Sequence, residues 1–240
     1  MMRPGYNKTM KQVLFGIFAH PDDEAFGPSA TLAKEIQNGT ELHLICVTDG
    51  RNGLNPDKHT DLAKVRMQEW RAAGKLIGAT SMHPLDYEDG TLCNNSYHEI
   101  ADKIEAIVRR DAAAQHGACN IAFMTFDPNG ISGHLDHIAV SNITTYVFYK
   151  LKEKPPANCT ISELAYYCLS REHVPEFLTS YVFMPAGRAA DFINRTVDVR
   201  NLRDTKYDIM RRHHSQRQDA ESILASGDDF HATDHFHVIT

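Results

Sequence analysis

The chain has 240 residues, 42% of them hydrophobic and 23% charged, which suits one sizeable α/β domain and excludes a largely disordered chain. A formal net charge of -6 excludes a general nucleic-acid binder, which needs a basic surface to neutralise phosphates. No apolar run is long enough to span a bilayer and the polar stretch Met1–Lys11 lacks a signal-peptide core, so a cytoplasmic protein without membrane contact is expected.

Val13–Ala19 is a short apolar run ending at a polar turn and reads as a buried parallel strand. Pro28–Asn38 follows as a helix, with Leu32, Ala33 and Ile36 at helical spacing and Gly39 as its stop. Leu42–Thr48 is a second strand, leading into the loop Asp49-Gly50-Arg51-Asn52-Gly53. Asp61–Ile77 is a second helix closed by Gly78, with Trp70 on its core face, and Ser81–Leu85 is a short third strand. Ser96 and Glu99 match a capping box opening a helix through Arg110. Ile121–Thr125 is a fourth strand, followed by the loop Phe126–Leu135 and a helix over Asp136–Tyr149. After a proline-containing linker, Lys152–Cys159, come strands at Leu164–Leu169 and Phe192–Val199 and a charged helical stretch, Asn201–Ala225. Alternating strands and helices imply βαβ units and a mostly parallel sheet in one domain spanning 1–240. Ligands of such sheets bind beyond the carboxyl ends of the strands.

That rule selects two loops. His20-Pro21-Asp22-Asp23-Glu24 follows the first strand, where a nucleotide-binding fold would place a glycine-rich phosphate loop. Three acidic residues there repel phosphate and suit a cation. Histidine and carboxylate are normal zinc ligands, so His20 and Asp23 can converge on one ion while Asp22 sits one water away as a general base. His134-Leu135-Asp136-His137 follows the fourth strand and should share the same sheet edge. Its two imidazoles and one carboxylate can supply a third ligand, a group beside the reacting carbonyl, and a residue that orients it. A solvated turn would explain either cluster alone; two at one edge favour a shared metal site.

These residues carry a resemblance. The sequence resembles the LmbE-like family of metal-dependent deacetylases, named also for PIG-L, the N-acetylglucosaminylphosphatidylinositol de-N-acetylase. The family's A-H-P-D-D-E motif stands as Ala19–Glu24 and its H-x-D-H motif as His134–His137. Weaker matches are Thr48–Gly53, Arg66 with Glu69, Asp89–Leu92, and Lys206 with His213-His214-Ser215-Gln216. The resemblance implies a Rossmann-like fold and a zinc site of His20, Asp23 and His137. It implies Asp22 as general base, His134 in its protonated form steadying the tetrahedral intermediate, and Asp136 orienting His134. Arg66 and Asp89 match positions that contact sugar hydroxyls. The implied reaction removes the acetyl group from an N-acetylglucosamine-type sugar or related small molecule. Fe2+ is an alternative to Zn2+, and relatives are often homo-oligomers. The chain departs from the family at Gly27-Pro28, where a Gly-Gly pair is common, and at Ser132, where some relatives carry a tyrosine. PIG-L's membrane anchor has no counterpart here, so a membrane-bound glycolipid is not the expected substrate. The rival readings are a metal hydrolase of another bond and a metal- or sugar-binding protein without catalysis.

The remaining outliers have plainer readings. Cys46, Cys93, Cys119, Cys159 and Cys168 are odd in number and include no C-x-x-C pair, so free thiols in a reducing compartment are expected. The arginines from Arg195 to Arg217 read as a solvated face balanced by Asp198, Asp204 and Asp208, and the tail histidines His231, His235 and His237 as incidental.

Overall fold

The computed structural model describes residues 10–115, 117–174, 186–227 and 230–240; most of the polar N-terminal stretch, residues 1–9, lies outside them. The strands are β1 (Lys11–Phe18), β2 (Glu41–Thr48), β3 (Ser81–Tyr87), β4 (Cys119–Phe126), β5 (Cys159–Cys168), β6 (Arg195–Asp198) and β7 (Thr233–Ile239). The helices are α1 (Asp23–Phe26), α2 (Ser29–Gln37), α3 (Leu62–Ile77), α4 (Tyr97–Ala113), α5 (Gly130–Gly133), α6 (Leu135–Glu153), α7 (Arg203–Met210) and α8 (Arg217–Leu224). The sheet order is β3-β2-β1-β4-β5-β7-β6. The first five strands are mutually parallel, and β7 runs antiparallel between β5 and β6. This is the expected Rossmann-like α/β fold with an antiparallel edge.

β1 is buried along its length after Lys11, because helices cover both faces of the sheet. Val13, Phe15 and Ile17 pack with Phe123 of β4 against α4 and α6. Leu14 and Phe18 point the other way, onto Leu32 of α2 and Met67 and Trp70 of α3. The period-two alternation of a strand thus feeds two helical layers. The ends of α3 follow local chemistry. Asp61 accepts from the Lys64 amide (3.0 Å) at one end, and Gly78 takes the left-handed conformation (φ 98°) at the other.

Four local expectations need correction. The capping box at Ser96 and Glu99 does not form: Ser96 Oγ donates to the Cys93 carbonyl, while Glu99 accepts from Tyr87 Oη and Lys103 Nζ. The stretch Asn201–Ala225 is two short helices rather than one, interrupted where His213, Ser215 and Gln216 turn inward. The tail is strand β7, with Phe236 buried between histidines that hydrogen-bond locally. Cys119 and Cys159 are register partners on β4 and β5 and are joined as a disulfide, so these two are not the free thiols of a reducing compartment. The arginine-rich face behaves as expected where Arg200 and Arg211 pair with Asp198 and Asp208. Among the described residues, no helix is long and apolar enough to cross a membrane.

Phe123 is fully buried at the centre of the sheet, stacked 5.9 Å from Phe15 and edge-on to Phe148. Phe123→Ala is expected to lower stability by about 3–5 kcal/mol in urea unfolding, through lost contacts and the cavity left behind.

Candidate metal centre and active site

β1 lies between β2 and β4, so the crossovers leaving it and arriving beside it diverge at its carboxyl end. This divergence opens a crevice where α/β sheets bind ligands. The loop after β1 carries His20, Asp22 and Asp23, and the loop after β4 leads to His134, Asp136 and His137. Both expected clusters therefore reach one sheet edge.

Asp23 shapes the first loop. Its Oδ2 accepts from the Ala19 amide (3.1 Å) and the His20 amide (2.8 Å), folding the turn back on itself. Its Oδ1 is left facing His137 Nε2 at 3.2 Å. His20 Nδ1 lies 3.0 Å from His137 Nε2 and 3.6 Å from Asp23 Oδ2. Ligands about 2.0–2.1 Å from a tetrahedral ion are roughly 3.3 Å apart, so the three groups have the spacing of a zinc-type donor set.

The outer partners of both rings support that fit. His137 Nδ1 donates to the Gly130 carbonyl (3.0 Å), leaving Nε2 as the bare nitrogen. His20 Nε2 donates to Asp89 Oδ1 (3.1 Å) and lies 3.3 Å from Asp136 Oδ2, leaving Nδ1 bare. Two imidazole nitrogens and a carboxylate converge, and positive charge between them, from a proton or a cation, stabilises the arrangement. The electrostatics agree: burial lowers the affinity of His20 for a proton, but Asp136, Asp23 and Asp89 together lift it well above its ordinary value. Burial raises the Asp23 carboxyl, yet His137 and His20 hold it well below the usual carboxylate range. A carboxylate on the outer nitrogen of a metal-binding imidazole fixes its tautomer and orientation.

Asp22 points away from this donor set. It caps α1 with φ 146°, a strained backbone setting for a non-glycine residue, and its Oδ2 accepts from Arg66 Nη2 at 2.8 Å. Burial pushes the Asp22 carboxyl up to about 6 against the pull of Arg66. Arg66 is itself buried and also donates to the carbonyls of Pro21 (3.1 Å) and Gly50 (2.6 Å). One guanidinium thus ties the loops after β1 and β2 together. Gly53 is required beside it, because a Cβ there would stand 2.2 Å from Arg66 Nη1.

Asp136 does not pair with His134 through its carboxylate. Its Oδ2 accepts from the Gly90 amide (2.7 Å) and approaches His20, and its Oδ1 accepts from the Leu92 amide (3.2 Å). The reason is helix geometry: His134 is the N-cap of α6, and its Nδ1 accepts from the Asp136 backbone amide at 3.2 Å. That bond needs a lone pair on Nδ1, so the ring is neutral and carries its proton on Nε2. Burial and the neighbouring His137 and His20 lower the His134 pKa, in the same direction. The protonated His134 expected from the sequence is not the form this structure favours.

Asp127 shapes the second loop, accepting from the amides of Asn129 (3.0 Å) and Ile131 (3.3 Å) and from Arg188 Nε (2.8 Å). These bonds hold Ile131 at φ 65°, an unfavourable setting for a β-branched residue. His213 and Glu24 form a fully buried pair at 3.1 Å, and Ser215 binds Glu69 through its hydroxyl (2.6 Å) and its amide (2.8 Å). The turn between α7 and α8 is thereby fastened to α1 and α3. His214 beside it is largely solvent-exposed. A cavity of about 510 Å3 lies over the site, bordered by His20, Asp22, Asp23, Arg66, Asp89, His134 and His137 on its polar side and by Phe26, Ile131, Leu169 and Phe230 among its apolar walls.

A family model described as PIG-L, GlcNAc-PI de-N-acetylase, matches residues 15–148, more than half of the chain. A 1D-myo-inositol 2-acetamido-2-deoxy-alpha-D-glucopyranoside deacetylase of Streptomyces avermitilis is 30% identical over 146 residues, covering 53% of this chain and 49% of the relative. The chain therefore spans about half the length of that curated relative. The N,N'-diacetylchitobiose deacetylase of Pyrococcus horikoshii superposes with a TM-score of 0.69 at 19% identity, covering 95% of this chain and 84% of the other. The 4-carboxy-2-hydroxymuconate hydratase GalB of Pseudomonas putida superposes with a TM-score of 0.66 at 14% identity, covering 95% and 96%. The fold is shared by proteins of different chemistry, so the site has to decide the reaction.

Asp136→Asn removes one of the two oxygens that hold His20, Gly90 and Leu92. Outer partners of metal-binding histidines are typically worth roughly 10–100-fold in metal affinity. A loss of that size is expected when Zn2+ is titrated against a competing chelator, with unfolding behaviour close to that of the unaltered chain.

Proposed function

The chain belongs to the PIG-L family, and from that membership we propose that it is a zinc-dependent hydrolase that removes the acetyl group from an N-acetylglucosamine-type sugar or related small molecule. The observation that carries the proposal is the meeting of His20 Nδ1, His137 Nε2 and the Asp23 carboxylate at 3.0–3.6 Å, with Asp22 adjacent but turned out of the donor set. Three protein ligands with open positions are the pattern of a catalytic rather than a structural zinc. The nitrogen-rich donor set also suits Fe2+, and availability would select between them.

When bound, the cation supplies Lewis-acid polarisation of the acetyl carbonyl and makes water more acidic. Asp22 is the general base: it accepts a proton from the attacking water and returns it to the departing amine nitrogen. Arg66 keeps the Asp22 carboxylate aimed and charged, offsetting its burial. His134 stands at the exposed side of the cavity as a neutral ring with Nε2–H free to donate to the carbonyl oxygen as it gains charge. Asp136 and Asp89 act on His20, fixing which nitrogen faces the cation. Arg66 and Asp89 also border the cavity, where they can meet the hydroxyls of a sugar. Acetate and a free amine are the products.

The direct test is release of acetate and amine from a panel of N-acetylated sugars by the metal-replete chain. Metal binding without turnover on any of them would leave a binding protein instead. Within an active preparation, Asp22→Asn is expected to keep its metal and lose roughly 10²–10⁴-fold in kcat, because it preserves shape while removing the base. Asp23→Asn is expected to lose metal first. Metal analysis and acetate release on the same samples separate the two roles, and the opposite pattern would exchange them.

A further inference from the structure

A second group of ligand-type side chains lies at the other end of the sheet. His43 is near the start of β2, Ser81 and His83 open β3, and Asp111 is near the end of α4. Their donor atoms converge. His43 Nδ1 is 2.6 Å from Ser81 Oγ and 3.0 Å from Asp111 Oδ2. His83 Nε2 is 2.7 Å from Ser81 Oγ and 2.7 Å from Asp111 Oδ2, and Ser81 Oγ is 3.1 Å from Asp111 Oδ2.

His43 Nε2 lies 3.0 Å from Glu41 Oε1, which turns Nδ1 toward the cluster. Glu41 is fixed in turn by Gln115 (2.7 Å) and by an ion pair with Lys11. The ring is buried and stacked 4.8 Å from Phe15, so it cannot turn away. His43 Nδ1 therefore faces the Asp111 carboxylate directly.

We propose that His43 Nδ1, His83 Nε2 and Asp111 Oδ2, with Ser81 Oγ beside them, form a second divalent-cation site of the zinc type, separate from the catalytic edge. The donor chemistry is two imidazoles and one carboxylate: the rings lie 3.0 and 2.7 Å from Asp111 Oδ2, all three donor atoms lie within 4.8 Å of one another, and small side-chain shifts bring them to tetrahedral separation, roughly 3.3 Å. Glu41 plays the outer-carboxylate part on His43 that Asp89 and Asp136 play on His20. Arg110 is the competing cation: its Nη2 is 3.2 Å from His83 Nδ1 and its Nε donates to Asp111 Oδ1 at 2.9 Å. Its side chain is 62% exposed, so it can leave the ring and keep the outer carboxylate oxygen when the ion binds. Such an ion joins β2, β3 and α4 at an end of the sheet remote from the cavity, which is a structural role.

The test is zinc retained per chain after the full-length, chelator-stripped protein is loaded with Zn2+ and gel-filtered. Two ions are expected in the unaltered chain and one in His83→Gln, which should keep its deacetylation. Asp23→Asn should lose the other ion, so the two sites fail independently. One ion in the unaltered chain, abolished by Asp23→Asn, overturns the second site and leaves the catalytic reading intact. Retention of both ions in His83→Gln likewise overturns it. Circular dichroism checks the fold of each variant. If His83→Gln does not fold, Arg110→Ala at an exposed position decides the matter: tighter zinc binding than in the unaltered chain supports the site, and unchanged binding overturns it.

Discussion

Two imidazole nitrogens meet at 3.0 Å beside a buried carboxylate, and that concentration of donor atoms governs the architecture around it. An arrangement of this kind collapses or protonates unless the chain holds each donor from behind. Asp23 is held by two backbone amides of its own turn, His137 by the Gly130 carbonyl, and His20 by Asp89 and Asp136. The holding groups come from the connections that follow β1, β3 and β4. The parallel sheet is what makes this possible, since every strand delivers its following loop to the same edge.

Burial of so much charge is stable only when the groups are paired, because an uncompensated buried charge is strongly destabilising. Arg66 supplies the pairing on the side of Asp22. Its guanidinium meets Asp22, two carbonyls and, at 3.8 Å, Asp89, so the same cation balances the carboxylate and sets the loop positions. A lysine could match the charge but not the fork of donors. On the far side, Glu69 grips the amide and hydroxyl of Ser215, and His213 meets Glu24, which breaks the last helical stretch into α7 and α8. Polar side chains that bind elsewhere compete with helical continuity, and here that competition closes the wall of the cavity.

The parts of the site legible in the sequence were those written in one loop each. His20 and Asp23 sit three residues apart after an apolar strand, and the spacing by itself brings both to one side of a turn. The carboxylate of Asp136 was misassigned because adjacency in H-x-D-H suggests a pair. The helix start sends the His134 ring to the Asp136 amide and the Asp136 carboxylate across to a residue 116 positions earlier. The same limit hid the disulfide between Cys119 and Cys159, register partners 40 residues apart. Strand β7 is not legible as a strand because histidines stand on either side of Phe236, which carries the two-residue period. The capping box failed because Tyr87 and Lys103 offered Glu99 better-placed donors than the helix start did.

The fold does not choose the reaction, since a hydratase and a sugar deacetylase both superpose on it. What favours hydrolysis here is the separation of duties between adjacent carboxylates. Asp23 follows the turn and faces the donor set. Asp22 is twisted out of line at φ 146° and given to Arg66. The strain at Asp22 is tolerated because Arg66 and the start of α1 fix the residue on either side, and it leaves a carboxyl whose burial brings it up to about 6. In the proposed reaction, a carboxylate placed beside the donor set and outside it is suited to moving one proton from water to an amine.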